Sequence, residues 1–540
     1  MKPFKYIFRA LYASTTAVLL MTGCTKDFKD LNNNPIGLTD EQADADYTLL
    51  SAFLQQAQRF IIPEDVGTYQ LSENLTSDSY SGYMAAEAPF VSNANNLTYS
   101  LQDGWNATIW TSRYINVMNP TYKVIAAAKA DPTLKDLEAL ARIVRVSAMS
   151  RVSDKIGPVI YSHYNISNED GTISYDAQKD VYPLFFKDLD TAIGILKGLP
   201  ETISPQMKNA DLAYTANNYV NWLKYANTLK LRLALRVAII DGAMAKTQGE
   251  SALDPANGGL LSENSQNCSV GLSVSHPLNV IVNDWSDTRM GAPMESIMGG
   301  YNDPRISKYF QKATDPAVAG QYKGIRSGIN IDEKSRYDSY SKLGFFPVNN
   351  MQLMVAAESW FLKAEAALRG WANAGDAKTN YETGIDRSFA MYGLAAEASA
   401  YKNDAASKPK AYIDPKAKTA GENDVPAGSP NLSTITIKWS DADNNNRKLE
   451  RIITQKWIAL FPDGEEAWAE YRRTGYPILF PVVVNKSAGA IPTVPGIRSI
   501  PIPQVEFTTN KAAAEAAVAT LGGPSNGATR LWWDVANKSF

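Results

Sequence analysis

The segment from Ala357 to Leu394, AESWFLKAEAALRGWANAGDAKTNYETGIDRSFAMYGL, decides the fold that the sequence predicts. Its first half repeats large and small apolar residues at the spacing of one helical face, at Trp360, Ala364, Ala367 and Trp371. A polar turn around Gly375 follows, and a second helical face begins at Tyr381. Aromatic residues that alternate with Ala and Gly let two helices pack closely. We therefore predict a helix–turn–helix pair here.

Helical periodicity also dominates the chain on both sides of this segment. It predicts helices at residues 40–62, 105–118, 134–154, 177–196, 218–240, 449–473 and 510–521. Residues 69–98, 242–349 and 401–439 lack this period and are rich in polar residues, so we predict long irregular segments there, with short strands within residues 242–349. Helical pairs that stack because neither helix can bury its apolar face alone are typical of tetratricopeptide repeats. The predicted fold is mainly α, a tetratricopeptide-like helical-pair scaffold with long irregular loops and a few short strands.

The composition limits the classes of function. The chain has 540 residues with 45% hydrophobic and 20% charged content, which is typical of a globular protein. Its net charge of -3 gives no basic surface for a nucleic-acid partner. It contains only two histidines, which is too few for most histidine-based metal or catalytic sites. We predict no nucleic-acid binding.

The N-terminus predicts a lipoprotein signal peptide at residues 1–23. Basic residues precede an apolar run over residues 10–21, and Met21-Thr22-Gly23-Cys24 follows. Thr22 and Gly23 are small enough for a signal peptidase, and the Cys24 thiol is the group that receives a lipid, although Leu is more usual than Met21. The alternative, a membrane-spanning anchor, is disfavoured because the run is shorter than the roughly 20 residues that a spanning helix needs.

The predicted mature chain has two parts. Polar, turn-forming residues at 24–38 suit a tether between a lipid and a folded body, and residues 39–540 form one ligand-binding domain. With Cys24 acylated, Cys268 is the one remaining cysteine, so we expect no intramolecular disulfide. The longest later apolar run, residues 222–240, is interrupted by basic residues and reads as a core helix.

Motifs that carry catalysis are absent from the sequence. There is no phosphate-binding loop, HExxH or CxxC, and Asp441-Ala-Asp443-Asn-Asn445 lacks the glycine and the final glutamate of a calcium loop. Glu465, Glu466 and Glu470 could serve glycoside hydrolysis, but their spacing on one helix favours a solvated face. We predict a protein that is not an enzyme and needs no cofactor, and a structural calcium ion has no support in the sequence.

Aromatic residues in the polar loops are the strongest indication of a ligand. Sugar rings have apolar C–H faces that stack on Trp and Tyr, while Asn and Asp bond the hydroxyls. The candidates are Tyr80, Tyr83, Trp105, Trp285 and Tyr301, with Asp78 and Asn302 as polar partners. The alternative is that these rings attach the loops to the body of the protein.

Blocks along nearly the whole chain resemble the SusD/RagB family of nutrient-binding outer-membrane lipoproteins of Bacteroidetes, in its SusD-like branch. The blocks are Cys24-Thr-Lys-Asp27-Phe28, Asp78-Ser-Tyr80-Ser-Gly82-Tyr83, Trp105 with Trp110, Tyr175-Asp176 to Leu189-Asp190, Trp222 to Arg232, Gly300-Tyr301-Asn302-Asp303-Pro304-Arg305, Ala364-Glu365-Ala366, Gln455-Lys456-Trp457, Glu466-Ala-Trp468, Arg472-Arg473 and Trp532-Trp533-Asp534. A departure occurs at Ile156-Gly-Pro-Val-Ile-Tyr161, where this branch commonly carries an Asp.

The resemblance implies a non-catalytic protein with four tetratricopeptide-like units. Members of the family sit on the cell surface, lipid-anchored in the outer membrane, and act as lids on a SusC-like TonB-dependent transporter. They capture oligosaccharides, or in some branches peptides, and deliver them to that transporter. We therefore expect oligosaccharide binding, keep peptide binding as the alternative, and regard a glycoside hydrolase as the third and weakest reading.

Overall fold

The computed structural model describes residues 48–216, 218–344 and 349–540. The predicted signal peptide, Cys24 and the tether lie outside these residues. Ser51–Phe540 forms one compact unit, and Met1–Leu50 makes up a second unit of which only residues 48–50 are described. The predicted domain boundary at residue 39 stays a prediction.

The described residues are mainly helical, which confirms the predicted fold class. The α-helices are α1 (Thr48–Arg59), α2 (Val66–Tyr69), α3 (Asp103–Arg113), α4 (Asn119–Ala130), α5 (Lys135–Ile156), α6 (Gln178–Gly198), α7 (Pro205–Ala210), α8 (Asn218–Arg236), α9 (Gly242–Leu253), α10 (Pro277–Asn279), α11 (Ala292–Gly300), α12 (Ile306–Tyr309), α13 (Ala356–Leu368), α14 (Ala377–Met391), α15 (Ala398–Lys402), α16 (Asn445–Leu460), α17 (Gly464–Thr474), α18 (Glu506–Thr509) and α19 (Lys511–Ala519). Three π-helical segments extend or join them, at Gln70–Asp78, Tyr114–Met118 and Val280–Asp284.

The strands are few and short, as predicted. β1 (Met84–Ala86) pairs antiparallel with β3 (Thr288–Met290), with Met84 opposite Met290. β2 (Cys268–Gly271) pairs antiparallel with β4 (Asn350–Met354), and Cys268 lies opposite Met354. The Cys268 thiol is fully buried, and that burial raises its pKa. These ribbons tie the long loops to the helical body.

Helices that follow one another pack as pairs: α4 with α5, α5 with α6, α8 with α9, and α13 with α14. In the last pair Gly384 is the point of closest approach, because a Cβ there would lie 2.8 Å from the Phe361 ring. This confirms the helical pair within residues 357–394. The placement of Trp371 on the first helix was wrong, since α13 ends at Leu368. Trp371 lies in the following turn, and its ring packs over Gly249.

Several predicted boundaries were wrong for local reasons. Asn119-Pro120 does not end the helical run, because the π-helical segment Tyr114–Met118 leads directly into α4, and Pro120 lies in the first turn of α4. The helix predicted at 449–473 is broken by Pro462 into α16 and α17. Residues 69–78, part of a segment predicted to be irregular, are helical but largely π, a turn that the 3.6-residue period does not detect.

Asn510, the first residue of the helix predicted at residues 510–521, lies just before α19 and contacts another loop. Asn510 stands at the start of α19, but its side chain makes no cap hydrogen bond. Its amide instead bonds the backbone of Ile173, accepting from the N–H at 2.9 Å and donating to the carbonyl at 2.9 Å. The residue therefore fastens the loop at 165–176 to the C-terminal helix.

A buried ion-pair network joins α5, α8, α13, α16 and α17, and it corrects the prediction for the carboxylates of α17. Arg236 bonds Glu466 at 2.5 Å and Glu470 at 2.6 Å, and Arg473 bonds Glu365 at 2.6 Å. The same helical spacing that predicted a solvated face turns Glu466 and Glu470 toward α8. Periodicity cannot distinguish a charged face that meets water from one that meets buried arginines.

Candidate functional site

Three loops meet at the end of the β1–β3 ribbon: residues 87–93, 284–287 and 330–336. The backbone N–H groups of Glu87 and Ala88 donate to the Asp287 carbonyl at 3.0 and 3.3 Å. The Asn93 side chain donates to the Ile331 carbonyl at 2.7 Å. We call these three loops, together with Trp105, the loop surface.

Trp285 is the prominent side chain of the loop surface, with 42% of its area exposed. The π-helical segment Val280–Asp284 leads directly into it. The carbonyl of Trp285 accepts from the Lys334 ammonium at 2.6 Å, and the same ammonium bonds Asp287 at 2.6 Å. The Trp285 ring is therefore exposed to solvent, while the hydrogen bond from Lys334 holds its backbone in place.

Trp105 and Phe90 form the second aromatic part of the loop surface. Their rings meet edge to face at 6.0 Å, and both side chains are partly buried against a core cluster that includes Leu97, Ile331 and Tyr337. Phe90 was not among the predicted site residues, and its contact with Trp105 forms only once the loop folds back onto α3.

The backbone next to Phe90 is strained. Val91, Ser92 and Asn93 have φ of 47°, 50° and 61°, in the left-handed region that residues other than glycine rarely adopt. Such strain persists only where the surroundings impose it, and it clusters at ligand-binding sites. Here it turns the exposed Val91 and Ser92 outward beside the aromatic pair.

Arg289 supports the loop surface from below and was missed by the sequence analysis. Its guanidinium donates to the carbonyls of Val282 at 3.1 Å and Asp338 at 3.0 Å, and to the Ser286 hydroxyl at 3.2 Å. It also forms a buried ion pair with Glu87 at 2.9 Å. Burial raises the pKa of Glu87 to about 8 despite the opposing charge of Arg289. No sequence motif marks an arginine in this role.

The structure places three of the predicted site residues in the interior. The Tyr83 hydroxyl donates to the Trp457 carbonyl, and the Tyr301 hydroxyl donates to the Ile435 carbonyl at 3.1 Å. Asp78 is buried and accepts from the Tyr69 hydroxyl at 3.1 Å. Because none of these three side chains reaches solvent, the loop surface does not include them. Asn302 is exposed, but its amide faces Ser407 on another loop at 3.5 Å.

Tyr80 borders a separate cavity of about 180 Å³. Its ring lies 5.1 Å from that of Trp468, and its hydroxyl donates to the Asn96 carbonyl at 3.2 Å. The other polar and aromatic side chains at this cavity include Tyr99, Tyr471, Asn431 and Ser327. Of the predicted residues, the structure thus brings only Trp105 and Trp285 to the loop surface, while Tyr80 belongs to this neighbouring cavity.

Among the described residues no group of three or more His, Cys, Asp or Glu side chains is arranged to hold a metal ion. In the same parts of the chain, no helix combines the length and the apolar character that crossing a membrane requires.

The stacked helical pairs and the loops that they carry place the protein in the helical-repeat class. The chain belongs to the SusD-like family, described as Susd and RagB outer membrane lipoprotein, whose model matches residues 30–534. The family is therefore one of outer-membrane lipoproteins, and the comparisons indicate no catalytic family.

Solved structures of relatives have the same fold. A chitin-binding SusD homolog from Flavobacterium johnsoniae is 40% identical, with a TM-score of 0.84 over 91% of this chain and 100% of its own. A SusD homolog from Bacteroides vulgatus is 33% identical, with a TM-score of 0.85 over 92% of this chain and 100% of its own. One from Bacteroides uniformis is 36% identical, with a TM-score of 0.81 over 90% of this chain and 99% of its own. No curated protein matches the chain.

Proposed function

We propose that this protein binds an oligosaccharide at the loop surface and delivers it to a TonB-dependent transporter, for which it acts as a lid. The observation that carries the proposal is the exposed ring of Trp285 on a loop held by Lys334 and Arg289. A loop whose backbone is held in place before binding loses little conformational entropy when a sugar ring stacks on its aromatic side chain. The chitin-binding relative supports a glycan as the ligand.

The position of the carboxylates considered for hydrolysis supports a protein that binds without catalysis. Glu465 faces Arg151 at 3.0 Å, Glu466 faces Arg236 at 2.5 Å, and all of these side chains are buried. A glycosidase needs its two carboxyl groups on either side of a substrate cleft. These groups are enclosed in the core, so we propose that the protein has no hydrolase activity.

Replacing Trp285 with Ala is expected to weaken glycan binding by about 1–3 kcal/mol, the range found for stacking on an aromatic ring. The measurement is isothermal titration with chitin oligosaccharides first and then with a panel of other oligosaccharides. Trp285→Phe serves as the matched variant, since it retains an aromatic face and should lose less affinity. Unchanged affinity in a folded Trp285→Ala variant would remove this residue from the site.

The alternative ligand class is a peptide. The same titration with mixed peptides distinguishes the two, because heat with peptides and none with oligosaccharides would contradict the glycan proposal. The aromatic pair of Phe90 and Trp105 does not decide the matter, since apolar side chains also pack on such rings.

The localisation that we propose is the cell exterior, with the chain held in the outer membrane by a lipid on Cys24. Replacing Cys24 with Ala removes the only thiol that can accept this lipid after the signal peptide, so the variant should appear in the soluble fraction. Cell fractionation with and without detergent measures this. A Cys24→Ala variant that still sediments with membranes would contradict lipid anchoring.

The transporter partner belongs to the same proposal and is supported by the membership in the SusD-like family. The lid role requires the loop surface to face the transporter. We propose no cofactor for this binding.

A further inference from the structure

A further concave site lies on the helical scaffold. It is a groove of about 510 Å³ between α4, α5, α6 and the loop at residues 160–166. This volume falls within the roughly 300–1,000 Å³ typical of small-molecule sites. We call it the tyrosine groove, and it shares no lining residue with the loop surface.

The floor of the groove is a cluster of charged side chains whose positive and negative charges cancel. Asp188 accepts from Arg145 at 2.6 Å and also from Arg142 and the Tyr161 hydroxyl. Arg142 also donates to Glu138, at 2.8 and 2.6 Å. Two guanidinium groups thus face two carboxylates, and the floor presents no net charge to a ligand.

The rim of the groove is positively charged. Lys129 on α4 and Lys187 on α6 both line it, and both are exposed. Within the described residues neither lysine has an ion-pair partner. The groove as a whole therefore offers two uncompensated ammonium groups, which favour an anion.

The wall of the groove is aromatic. The rings of Tyr122 and Tyr164 lie 5.5 Å apart at 65°, and Asn165 donates to the Tyr122 hydroxyl at 3.3 Å, which orients that ring. Ile166 adds an apolar side chain with 56% of its area exposed. A ligand that fills this space must offer an apolar face to the tyrosines and a negative charge to the lysines.

We infer that the tyrosine groove binds an acidic sugar, such as a uronic-acid unit of an oligosaccharide. The C–H face of the ring would stack on the exposed Tyr122 ring with Tyr164 at its edge, and the carboxylate would face Lys129 and Lys187. An extended peptide fits less well, because it needs backbone hydrogen-bond partners and the floor groups already bond one another. The site extends the range of ligands beyond what the loop surface provides.

The test is isothermal titration of the purified protein with a trimer of galacturonic acid. A neutral galactose trimer is the matched ligand, and a glutamate trimer is the competing class. The acidic trimer should bind, and binding should weaken as salt is raised because ions screen the lysines. The neutral trimer should not bind at this groove.

The double variant Lys129→Gln, Lys187→Gln should weaken binding of the acidic trimer about tenfold or more, since two charge-assisted contacts are lost. Both lysines are exposed, so folding should be unaffected. Lys123→Gln is the matched control, because Lys123 is also on α4 but lies over the Phe53 ring, 4.9 Å from its centre.

Three results would overturn the inference: no binding of the acidic trimer, unchanged binding in the double variant, or equally tight binding of the glutamate trimer. A further variant, Trp285→Ala, separates the two sites. If it abolishes binding of the acidic trimer while the double lysine variant retains it, the ligand occupies the loop surface and the tyrosine groove is not its site.

Discussion

Replacing Arg236 with Met is expected to lower the free energy of unfolding by about 3–5 kcal/mol, the cost of breaking a buried ion pair from one side. Arg236 is buried and donates to Asp154 at 3.1 Å, Glu466 at 2.5 Å and Glu470 at 2.6 Å. Methionine fills much of the same volume but leaves these carboxylates without their shared cation. Lys456, 3.1 Å from Glu466, compensates only in part.

Chemical denaturation of the purified protein measures this loss. The matched control is Arg447→Met, because Arg447 makes a 3.4 Å pair with Asp443 on an exposed helix start. Exposed pairs contribute about 0–1 kcal/mol, so the control should change stability little. Equal effects of the two substitutions would show that the buried network does not determine the stability of the scaffold.

Replacing Asp78 with Asn is expected to flatten the dependence of stability on pH. Burial, reinforced by the nearby Glu73, raises the pKa of Asp78 to about 8, so the folded chain keeps a proton that the unfolded chain releases near pH 4. Folding therefore takes up a proton between about pH 4 and pH 8, and stability falls as pH rises by about 1.4 kcal/mol per pH unit. Asparagine cannot ionise and removes this contribution.

The free energy of unfolding of the variant should equal that of the wild type near pH 4. Toward pH 8 it should exceed the wild-type value by a growing margin. Denaturation at pH 5 and pH 7 gives the two slopes. Asp463→Asn is the contrasting variant, because Asp463 bonds Arg151 at 2.5 and 3.0 Å, and losing its charge should destabilise the protein at both pH values. Identical slopes for the wild type and Asp78→Asn would show that Asp78 is ionised in the fold.

The helical scaffold could be predicted from the sequence because its signal is local. The spacing of Trp360, Ala364 and Tyr381 reflects which faces meet, and Gly384 lies where the two helices touch. The breaks between helices were harder to predict, since Pro120 lies within a continuous helical run whereas Pro462 lies between two helices. The presence of a proline alone does not distinguish these two cases.

The candidate site could be predicted only in part. Trp285 and Tyr301 look alike in sequence, since both are aromatic residues among polar neighbours, yet one is exposed and the other donates its hydroxyl to a buried carbonyl. Their different exposure depends on which other parts of the chain each loop contacts in the folded protein. The role of Arg289 depends on bringing residues 87, 282 and 338 together, and sequence spacing carries no information about that.

The burial of Cys268 has a practical consequence for spectroscopy. In a chain that begins after Cys24, the remaining native thiol is shielded in β2, and its raised pKa keeps it protonated and unreactive toward maleimide reagents. A cysteine introduced at the exposed Ser92 would therefore be the only group that such reagents modify. A fluorophore attached there would report ligand arrival at the loop surface in real time, with the native cysteine left in place.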